Sequence, residues 1–327
     1  HRVDRRQRQM CIRDRKNRGA SQNHIVFDSS RGFNGDSDSL YLEPNNTDAE
    51  AHDDDNHLKS FNSDGFTMQA SSSRSNNSSY TYVAWQWKAN GGTTSSNTSG
   101  SITSTVQANT TSGFSIITYT GNATDDATFG HGLGAVPHFI IIKRRNSTNG
   151  WPVYHQSLGA DKALFLNTTA AVESSSFYQA TPTSTLITLN DHSNVNNESG
   201  TYICYCFTEI QGYSKFGSYE GNGDADGPFV YTGFKPAWVI LKNADTGENW
   251  CLFDNKRSTH NPMDDYLEPN TSDAEADGET KIVDFLSNGF KLRGASALIN
   301  NDGDTHIYAA FAEQPFVTSG GVPCTAF

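Results

Sequence analysis

The sequence predicts an all-β protein made of tandem antiparallel β-sandwich repeat units, jelly-roll-like and each about 100 residues long. Three observations predict this fold class. The apolar runs are short, rich in β-branched and aromatic residues, and bounded by Gly, Asn, Asp, Ser or Pro. No convincing apolar stripe with the 3.6-residue period of a helix runs through them. Similar strings also recur at a fixed offset along the chain, which indicates repeated structural units.

The repeat divides the chain into units. Residues 137–143 (PHFIIIK) match residues 236–242 (PAWVILK), and residues 201–209 (TYICYCFTE) match residues 305–313 (THIYAAFAE). The string YLEPN occurs at residues 41–45 and again at residues 266–270. We therefore predict a truncated first unit (20–90), a linker rich in Ser, Thr and Asn (91–112), a second unit (113–211), a third unit (212–316) and a short C-terminal tail (317–327).

The N-terminal segment differs from the rest of the chain. Residues 1–15 read HRVDRRQRQMCIRDR, with six Arg and two Asp and no hydrophobic period. The string resembles the translation of sequencing-adapter DNA joined to a metagenomic contig. The alternative is a natural basic arm, and charge runs of this kind are usually disordered tails. We predict that residues 1–19 are an artefact or disordered.

Two segments carry weaker structural signals. The linker, residues 91–112, has a composition that buries too little apolar area to offset the entropy of ordering. It is therefore a tether or an extended strand, and residues 101–106 have strand character. The best helix candidate is residues 272–276, which could form one short turn.

Charge and hydropathy exclude several classes of partner. The chain has 24 basic and 36 acidic side chains and a net charge of −12, which argues against nucleic acid or an anionic membrane. The longest purely aliphatic run, residues 140–142 next to Phe139, is far shorter than the roughly 20 apolar residues that span a bilayer. No apolar segment of a secretion signal follows the basic N-terminus.

Acidic clusters are the first candidates for chemistry, in the first unit and in the third. Calcium takes about six to eight oxygen ligands, which such loops could supply, but no EF-hand spacing is present. We therefore favour solvated acidic loops, and predict no cofactor. Paired carboxylates also suggest glycoside hydrolysis, although no apolar residue is placed to raise one pKa. The acidic residues are Glu43, Asp48, Glu50, Asp53, Asp54, Asp55, Asp264, Asp265, Glu268, Asp273, Glu275 and Asp277.

Other reactive side chains are interpreted as structural. Cys204 and Cys206 share one face of a strand, where they suit a reduced core rather than a disulfide or a zinc site. His131 lies between glycines without a nucleophile motif, which indicates a turn. Trp151 and Trp250 occupy equivalent positions in two units, so the shared fold explains them better than a ligand does.

Ligand-binding residues are expected in loops where the units differ. These loops are residues 146–150, 174–182, 244–247 and 256–264. The candidate ligand-binding residues are Asn146, Asn149, Ser176, Tyr178, Asp245, Arg257 and His260.

Several long strings of this sequence resemble a known family. They include HGLGAVPHFIIIK at residues 131–143, GYSKFGSYEGNGDADGPFVYTGFKPAWVILK at residues 212–242 and FLSNGFKLR at residues 285–293. They resemble uncharacterised repeat domains of virion proteins of marine tailed bacteriophages, often labelled tail fibre or tail-associated protein. The likeness covers roughly residue 23 to the C-terminus.

The resemblance implies a non-enzymatic virion protein, assembled in the host cytoplasm and carried on the extracellular particle. Its partners would be other virion proteins and host cell-surface glycans, and fibre proteins commonly form trimers. No functional residue is carried over, because none is established for the family. Two alternatives remain open: a glycan depolymerase or hydrolase, and a structural spacer or capsid decoration without a ligand.

Overall fold

The computed structural model describes residues 12–31, 39–52, 58–62, 65–68, 72–313, 316–317 and 323–324. The described chain consists of 28 strands and one four-residue helix. All pairs of strands are antiparallel, and the one parallel contact is an isolated bridge between Ile102 and Phe129. The all-β prediction is therefore confirmed.

Residues 12–90, which contain the predicted first unit, hold seven strands in three small sheets, ordered β2-β1-β7, β3-β4 and β5-β6. A bridge between Val26 and Leu42 joins the first two sheets. The strands are β1 (Ile12–Asn17), β2 (Ile25–Asp28), β3 (Leu40–Tyr41), β4 (Ala51–His52), β5 (Leu58–Phe61), β6 (Phe66–Met68) and β7 (Tyr82–Trp87).

The second unit is dominated by one sheet of eight strands, ordered β15-β14-β13-β12-β17-β10-β9-β8. The pair β11-β16 packs on this sheet through a shared apolar core. The strands are β8 (Ser95–Asn97), β9 (Ser104–Asn109), β10 (Phe114–Thr120), β11 (Ala127–Gly130), β12 (Phe139–Arg144), β13 (Pro152–His155), β14 (Lys162–Phe165), β15 (Glu173–Ser174), β16 (Leu186–Leu189) and β17 (Thr201–Phe207).

The third unit has a sheet of order β18-β26-β20-β21, a sheet of order β19-β25-β24, and the pair β22-β23. The order β18-β26-β20-β21 matches β10-β17-β12-β13 of the second unit. In the first unit, β7-β1-β2 matches β17-β12-β13 of the second and β26-β20-β21 of the third. The elements are β18 (Ser214–Glu220), β19 (Phe229–Tyr231), β20 (Pro236–Asn243), β21 (Cys251–Asp254), β22 (Asp265–Tyr266), β23 (Ala276–Asp277), β24 (Val283–Leu286), β25 (Gly289–Leu292), α1 (Ala297–Asn300) and β26 (Thr305–Ala312). At the C-terminal tail, β27 (Phe316–Val317) pairs with β28 (Pro323–Cys324).

Two boundaries and one predicted helix differ from the prediction. Residues 12–17 form β1, which pairs with β2 and β7, so the prediction of an unfolded segment is wrong for residues 12–19, and residues 1–11 lie outside the described chain. The linker contains β8 and β9, which extend the sheet of the second unit. Residues 272–276 form no helix, and the chain enters β23 at Ala276.

The three units contact one another in cyclic order, second to first, third to second, and first to third. Each interface contains the same backbone hydrogen bond. It runs from an amide that follows a YLEPN-like segment (residues 41–45, 163–167 or 266–270) to a carbonyl that follows β12, β20 or β1. Heterologous contacts of this kind close into a ring when the rotation returns to the start. The three bonds run from Glu50 N to Arg145 O (2.8 Å), from Val172 N to Ala244 O (2.7 Å) and from Glu275 N to Arg18 O (2.9 Å).

A buried lysine reaches across each interface. Lys16, Lys143 and Lys242 occupy the same register position of β1, β12 and β20 and are fully buried. Each ammonium group donates to one backbone carbonyl of the neighbouring unit and to at least one of its own. The carbonyls of the neighbouring unit belong to Ser272 (2.7 Å), Thr47 (2.9 Å) and Thr169 (3.3 Å).

Two of the interfaces also share a charged network. Arg31 is buried and donates to Asp28 and to Glu50, and Arg145 of the second unit binds the same Glu50. The hydroxyl group of Tyr205 donates to Asp28 at 2.8 Å. At the interface of the first and third units, the equivalent groups are Trp85, Asp254, Arg257, Glu275 and Arg18.

The interface of the second and third units has less polar residues in place of this network. His155, Leu158 and Val172 stand where the other units have Asp, Arg and Glu, and Ala244 replaces the arginine of the neighbour. His155 bonds instead through Nε2 to the carbonyl of Tyr308 at 3.1 Å. The charged groups are present or absent as a set, as expected when removal of one partner would leave a buried charge uncompensated.

Candidate functional site

The two most exposed aromatic side chains of the described residues lie together on β19 in the third unit. Phe229 and Tyr231 are 45% and 60% exposed, whereas Val230 between them is buried in the core of the unit. Because side chains alternate along a strand, the two rings lie on the same outer face. Exposed apolar area of this kind usually marks a binding surface.

The pairing of β19 with β25 and β24 surrounds these rings with polar groups. Phe229 lies opposite Lys291, and Lys291 lies opposite Asp284. Directly opposed residues of antiparallel strands share a face, so these side chains belong to the same surface as Phe229 and Tyr231. We call Phe229, Tyr231, Lys291, Asp284 and Arg293 the aromatic face.

The polar side chains of the aromatic face are held by one another. Lys291 Nζ lies 2.9 Å from Asp226 Oδ1 and donates to the carbonyl of Gly227 at 2.7 Å. The hydrogen bond from Lys291 lowers the pKa of the Asp226 carboxyl group. Arg293 Nε lies 3.5 Å from Asp284 Oδ2 and remains partly exposed. The surface therefore offers both donors and acceptors around the two rings.

A glycine shapes the surface beneath the rings. Gly289 lies opposite Tyr231, and a Cβ atom at this position would lie 2.1 Å from the carbonyl oxygen of Val230 and 3.0 Å from the ring of Phe229. Only a residue without a side chain therefore allows β19 to pair so closely with β25. The position of the Phe229 ring over the sheet depends on this glycine.

The equivalent edge of the second unit is covered by the chain. The amide of Ile102 donates to the carbonyl of Thr128 at 2.8 Å, and Ser104 Oγ donates to the carbonyl of Gly130 at 2.7 Å. A Cβ atom on Gly130 would lie 2.2 Å from Oδ1 of Asn97. β11 pairs with β16 as β19 pairs with β25, and in these registers Tyr231 occupies the position of Gly130. A segment that lay on β19 as residues 97–104 lie on β11 would therefore clash with Tyr231.

The structure separates the predicted ligand-binding residues into surface and interior positions. Tyr178 and Arg257 are buried, so they cannot contact a ligand at the surface, and the prediction is wrong for both. Tyr178 packs against Tyr154 in the core, because residues 177–178 close over the sheet. Arg257 binds Asp254 and Glu275 in the ring interface.

The other predicted residues lie in separate turns. Asn146 is exposed and bonds to Arg144 and Ser199, and Asn149 bonds to Asn194 at 3.0 Å. Asp245 is exposed and accepts from the amide of Thr305 at 2.6 Å. Ser176 and His260 are exposed. Within the described chain these hydrogen bonds join none of the predicted residues to another, so they stay individual predictions rather than one site.

The remaining candidates for chemistry have structural partners. Cys204 and Cys206 are buried and unpaired with Sγ atoms 3.4 Å apart, as predicted for core residues. His131 is buried and bonds to Thr183 and Leu133, in agreement with a turn. The side chains of Glu50 and Glu275 bind arginines across the ring.

The described residues contain neither a cluster of potential metal ligands nor a membrane-spanning helix. Nowhere in residues 12–313, apart from the undescribed gaps, do three or more His, Cys, Asp or Glu side chains gather as ligands of a metal ion. The helix of the described part is too short to cross a membrane.

The sequence contained a signal for the aromatic face that loop composition did not show. Phe229 and Tyr231 lie in a strand rather than a loop, and they replace Thr128 and Gly130 of the second unit. A comparison of strand positions between units, in addition to loops, would have found them.

One of the comparisons with known proteins finds a match. No curated protein and no solved structure matches the chain. A family model described as a domain of unknown function (DUF7483) matches residues 13–315, which include all three units. The chain therefore belongs to the family described as domain of unknown function DUF7483.

Proposed function

We propose that this protein is a non-enzymatic component of a phage virion, in a tail fibre or on the virion surface, built from tandem β-sandwich units. Its role is to bind host-surface glycans through the aromatic face of the third unit. The observation that carries the proposal is the exposed pair Phe229 and Tyr231, surrounded by polar side chains on one face of a three-stranded sheet.

The chemistry of the aromatic face suits a sugar. An aromatic ring presents a large apolar surface that packs against the C–H groups of a pyranose, and the Tyr231 hydroxyl adds a polar group. Lys291, Asp284 and Arg293 can exchange hydrogen bonds with sugar hydroxyl groups at the rim. The resemblance to phage virion proteins supports the source of the glycan, a bacterial surface.

The experiment compares glycan-array and whole-cell binding of the full chain with a Phe229→Ala/Tyr231→Ala double variant. Because each ring contributes about 0.5–1.5 kcal/mol beyond its buried area, we expect at least a tenfold loss of affinity. Tyr80→Ala is the matched control, since Tyr80 is an exposed aromatic residue of the first unit. The control should bind as the unmodified chain does.

Three other results would overturn the proposal. Unchanged binding by the double variant would place the glycan site elsewhere. Release of reducing ends from the bound glycan would make the protein a hydrolase. A folded chain that binds no glycan and no host cell would be better explained as a structural spacer.

A further inference from the structure

A cavity of about 90 Å³ lies where the three units meet. Equivalent positions of β1, β12 and β20 contribute to its wall, and so do equivalent positions of β7, β17 and β26. Each unit therefore contributes to the cavity. The first set consists of Asp14, Ile141 and Ile240, and the second of Trp87, Phe207 and Phe311. The cavity therefore belongs to the ring rather than to any single unit.

The wall of the cavity is apolar apart from one side chain. It also includes three residues of the YLEPN-like segments, Pro44, Leu166 and Pro269, together with Trp151 and Trp238. Asp14 is the charged member of the wall, at the position that is Ile141 in the second unit and Ile240 in the third. Cavities with walls of this kind take apolar guests.

The cavity is larger than the voids of ordinary protein interiors. Side chains in cores leave few voids larger than a water molecule, because packing is as dense as in organic crystals. Here the rings of Trp87 and Trp238 meet edge to face at 5.4 Å, and the Phe311 ring lies 5.5 Å from Trp87, yet the space beside them remains. Trp87, Ile141 and Trp238 are only half-buried, so the wall reaches the protein surface and a guest can enter.

We propose that this cavity is a binding site for a small apolar molecule or group, of the size of benzene. The class follows from the wall, which offers aromatic and aliphatic surface on every side and a volume within twofold of the roughly 150 Å³ apolar cavity known to take benzene or xenon. The site is independent of the aromatic face, which lies on β19 and contributes no residue to the wall.

The first measurement is thermal unfolding of the full chain with benzene. At a benzene concentration ten times its dissociation constant, binding to the native state alone should raise the Tm by about 2 °C. Diffraction from xenon-pressurised crystals should show one xenon between Trp87, Phe207 and Ile240. Absence of both effects would make the cavity a packing defect and overturn the proposal.

Variants of Asp14 make the test specific. Asp14→Ile reproduces the residue of the other two units and fills the cavity, so it should raise the Tm without ligand and abolish the benzene-induced shift. Asp14→Asn keeps the size of the side chain and should retain the shift. Val26→Leu is a second filling variant, chosen because Leu252 holds the equivalent strand position in the third unit. A benzene shift that survives both filling variants would contradict the proposal.

The two proposals can fail separately. The Phe229→Ala/Tyr231→Ala variant should keep the benzene-induced shift of the unmodified chain, and Asp14→Ile should keep its glycan affinity. Loss of glycan binding in Asp14→Ile would show that the two sites are coupled and that the cavity is not an independent site.

Discussion

The most informative single residues are the buried lysines of the ring. Burial lowers the pKa of Lys16, Lys143 and Lys242 to about 8 each. A lysine is tolerated in this position because its ammonium group donates to backbone carbonyls on both sides of the interface. Lys143 Nζ, for example, donates to Asn149 O at 2.6 Å within its unit and to Thr47 O at 2.9 Å in the first unit.

Replacement of Lys143 by Met should therefore destabilise the protein although it adds an apolar side chain to the core. The carbonyls of Thr47 and Asn149 each lose a hydrogen bond from a charged donor, which costs about 1.5–3 kcal/mol in the free energy of unfolding. Urea unfolding measures the change. Lys235→Met is the control, because Lys235 is half exposed in its ion pair with Glu313 and should change stability by less than about 0.5 kcal/mol. Equal effects of the two variants would contradict this role.

Residues of β1 fit the ring less well than their counterparts do. Asp14 and Arg15 stand where β12 has Ile141 and Ile142, and Asp14 Oδ1 is buried without a hydrogen-bond partner in the described chain. Burial lowers the pKa of Arg15 to about 10. The adapter origin of residues 1–15 stays a prediction, and the family model matches the chain from residue 13 onward, which includes both side chains.

At the scale of elements, the ring interfaces show that charged residues act as a group. Arg31 is buried between Asp28 and Glu50, and its Nη2 also donates to the carbonyl of Val26 at 2.7 Å. The Arg31→Leu substitution alone should lower the free energy of unfolding by about 3–5 kcal/mol, because the Asp28 carboxylate would stay buried without its cationic partner and Glu50 would keep only Arg145.

The second unit supplies the compensating changes. A quadruple variant with Asp28→His, Arg31→Leu, Glu50→Val and Arg145→Ala adopts the residues of the less polar interface, and we expect it to recover at least about 2 kcal/mol of the loss. Denaturant unfolding of both variants checks this. A quadruple variant less stable than Arg31→Leu would show that the two kinds of interface are not interchangeable.

The strands that could be predicted from the sequence are those with apolar alternation. β10, β12 and β17 were visible as β-branched and aromatic runs. β8 and β9 were assigned to a linker because their residues are mostly Ser, Thr, Asn and Gln, and their order comes from pairing with β10 rather than from their own composition. The ring was not predictable, because its lysines bind backbone carbonyls, which no side-chain pattern reveals.

At the scale of the whole molecule, the ring explains why one aromatic face is exposed. In the second unit the preceding chain, residues 95–109, covers the edge of β11 and pairs with β10. Between β17 and β18 only residues 208–213 are available, and they turn directly into the third unit. The edge of β19 is therefore left without a cover from the described chain, and Phe229 and Tyr231 occupy that space. We expect one glycan site per chain.

Buried histidines determine how this molecule responds to acid. Burial lowers the pKa of His155 to about 4, and it also lowers the pKa values of His131 and His138. In each of the three, Nδ1 accepts a hydrogen bond from a backbone amide, so protonation would place a second N–H against that donor. The neutral imidazole is therefore part of the folded structure, and in His155 it lies at a ring interface.

The sign of the pH dependence follows from these shifts. A folded pKa below the unfolded value near 6.5 means that the folded state binds fewer protons, so stability is complete above pH 6.5 and falls as the pH decreases toward 4. His155 alone contributes roughly 3 kcal/mol to this loss. Urea unfolding at pH 7.5, 5.5 and 4.5 should show a steep decrease that His155→Gln flattens, whereas His260→Gln, at an exposed position, leaves it unchanged. An equal decrease of the free energy of unfolding in His155→Gln would assign the acid sensitivity to other groups, because this variant has no imidazole at position 155 to protonate.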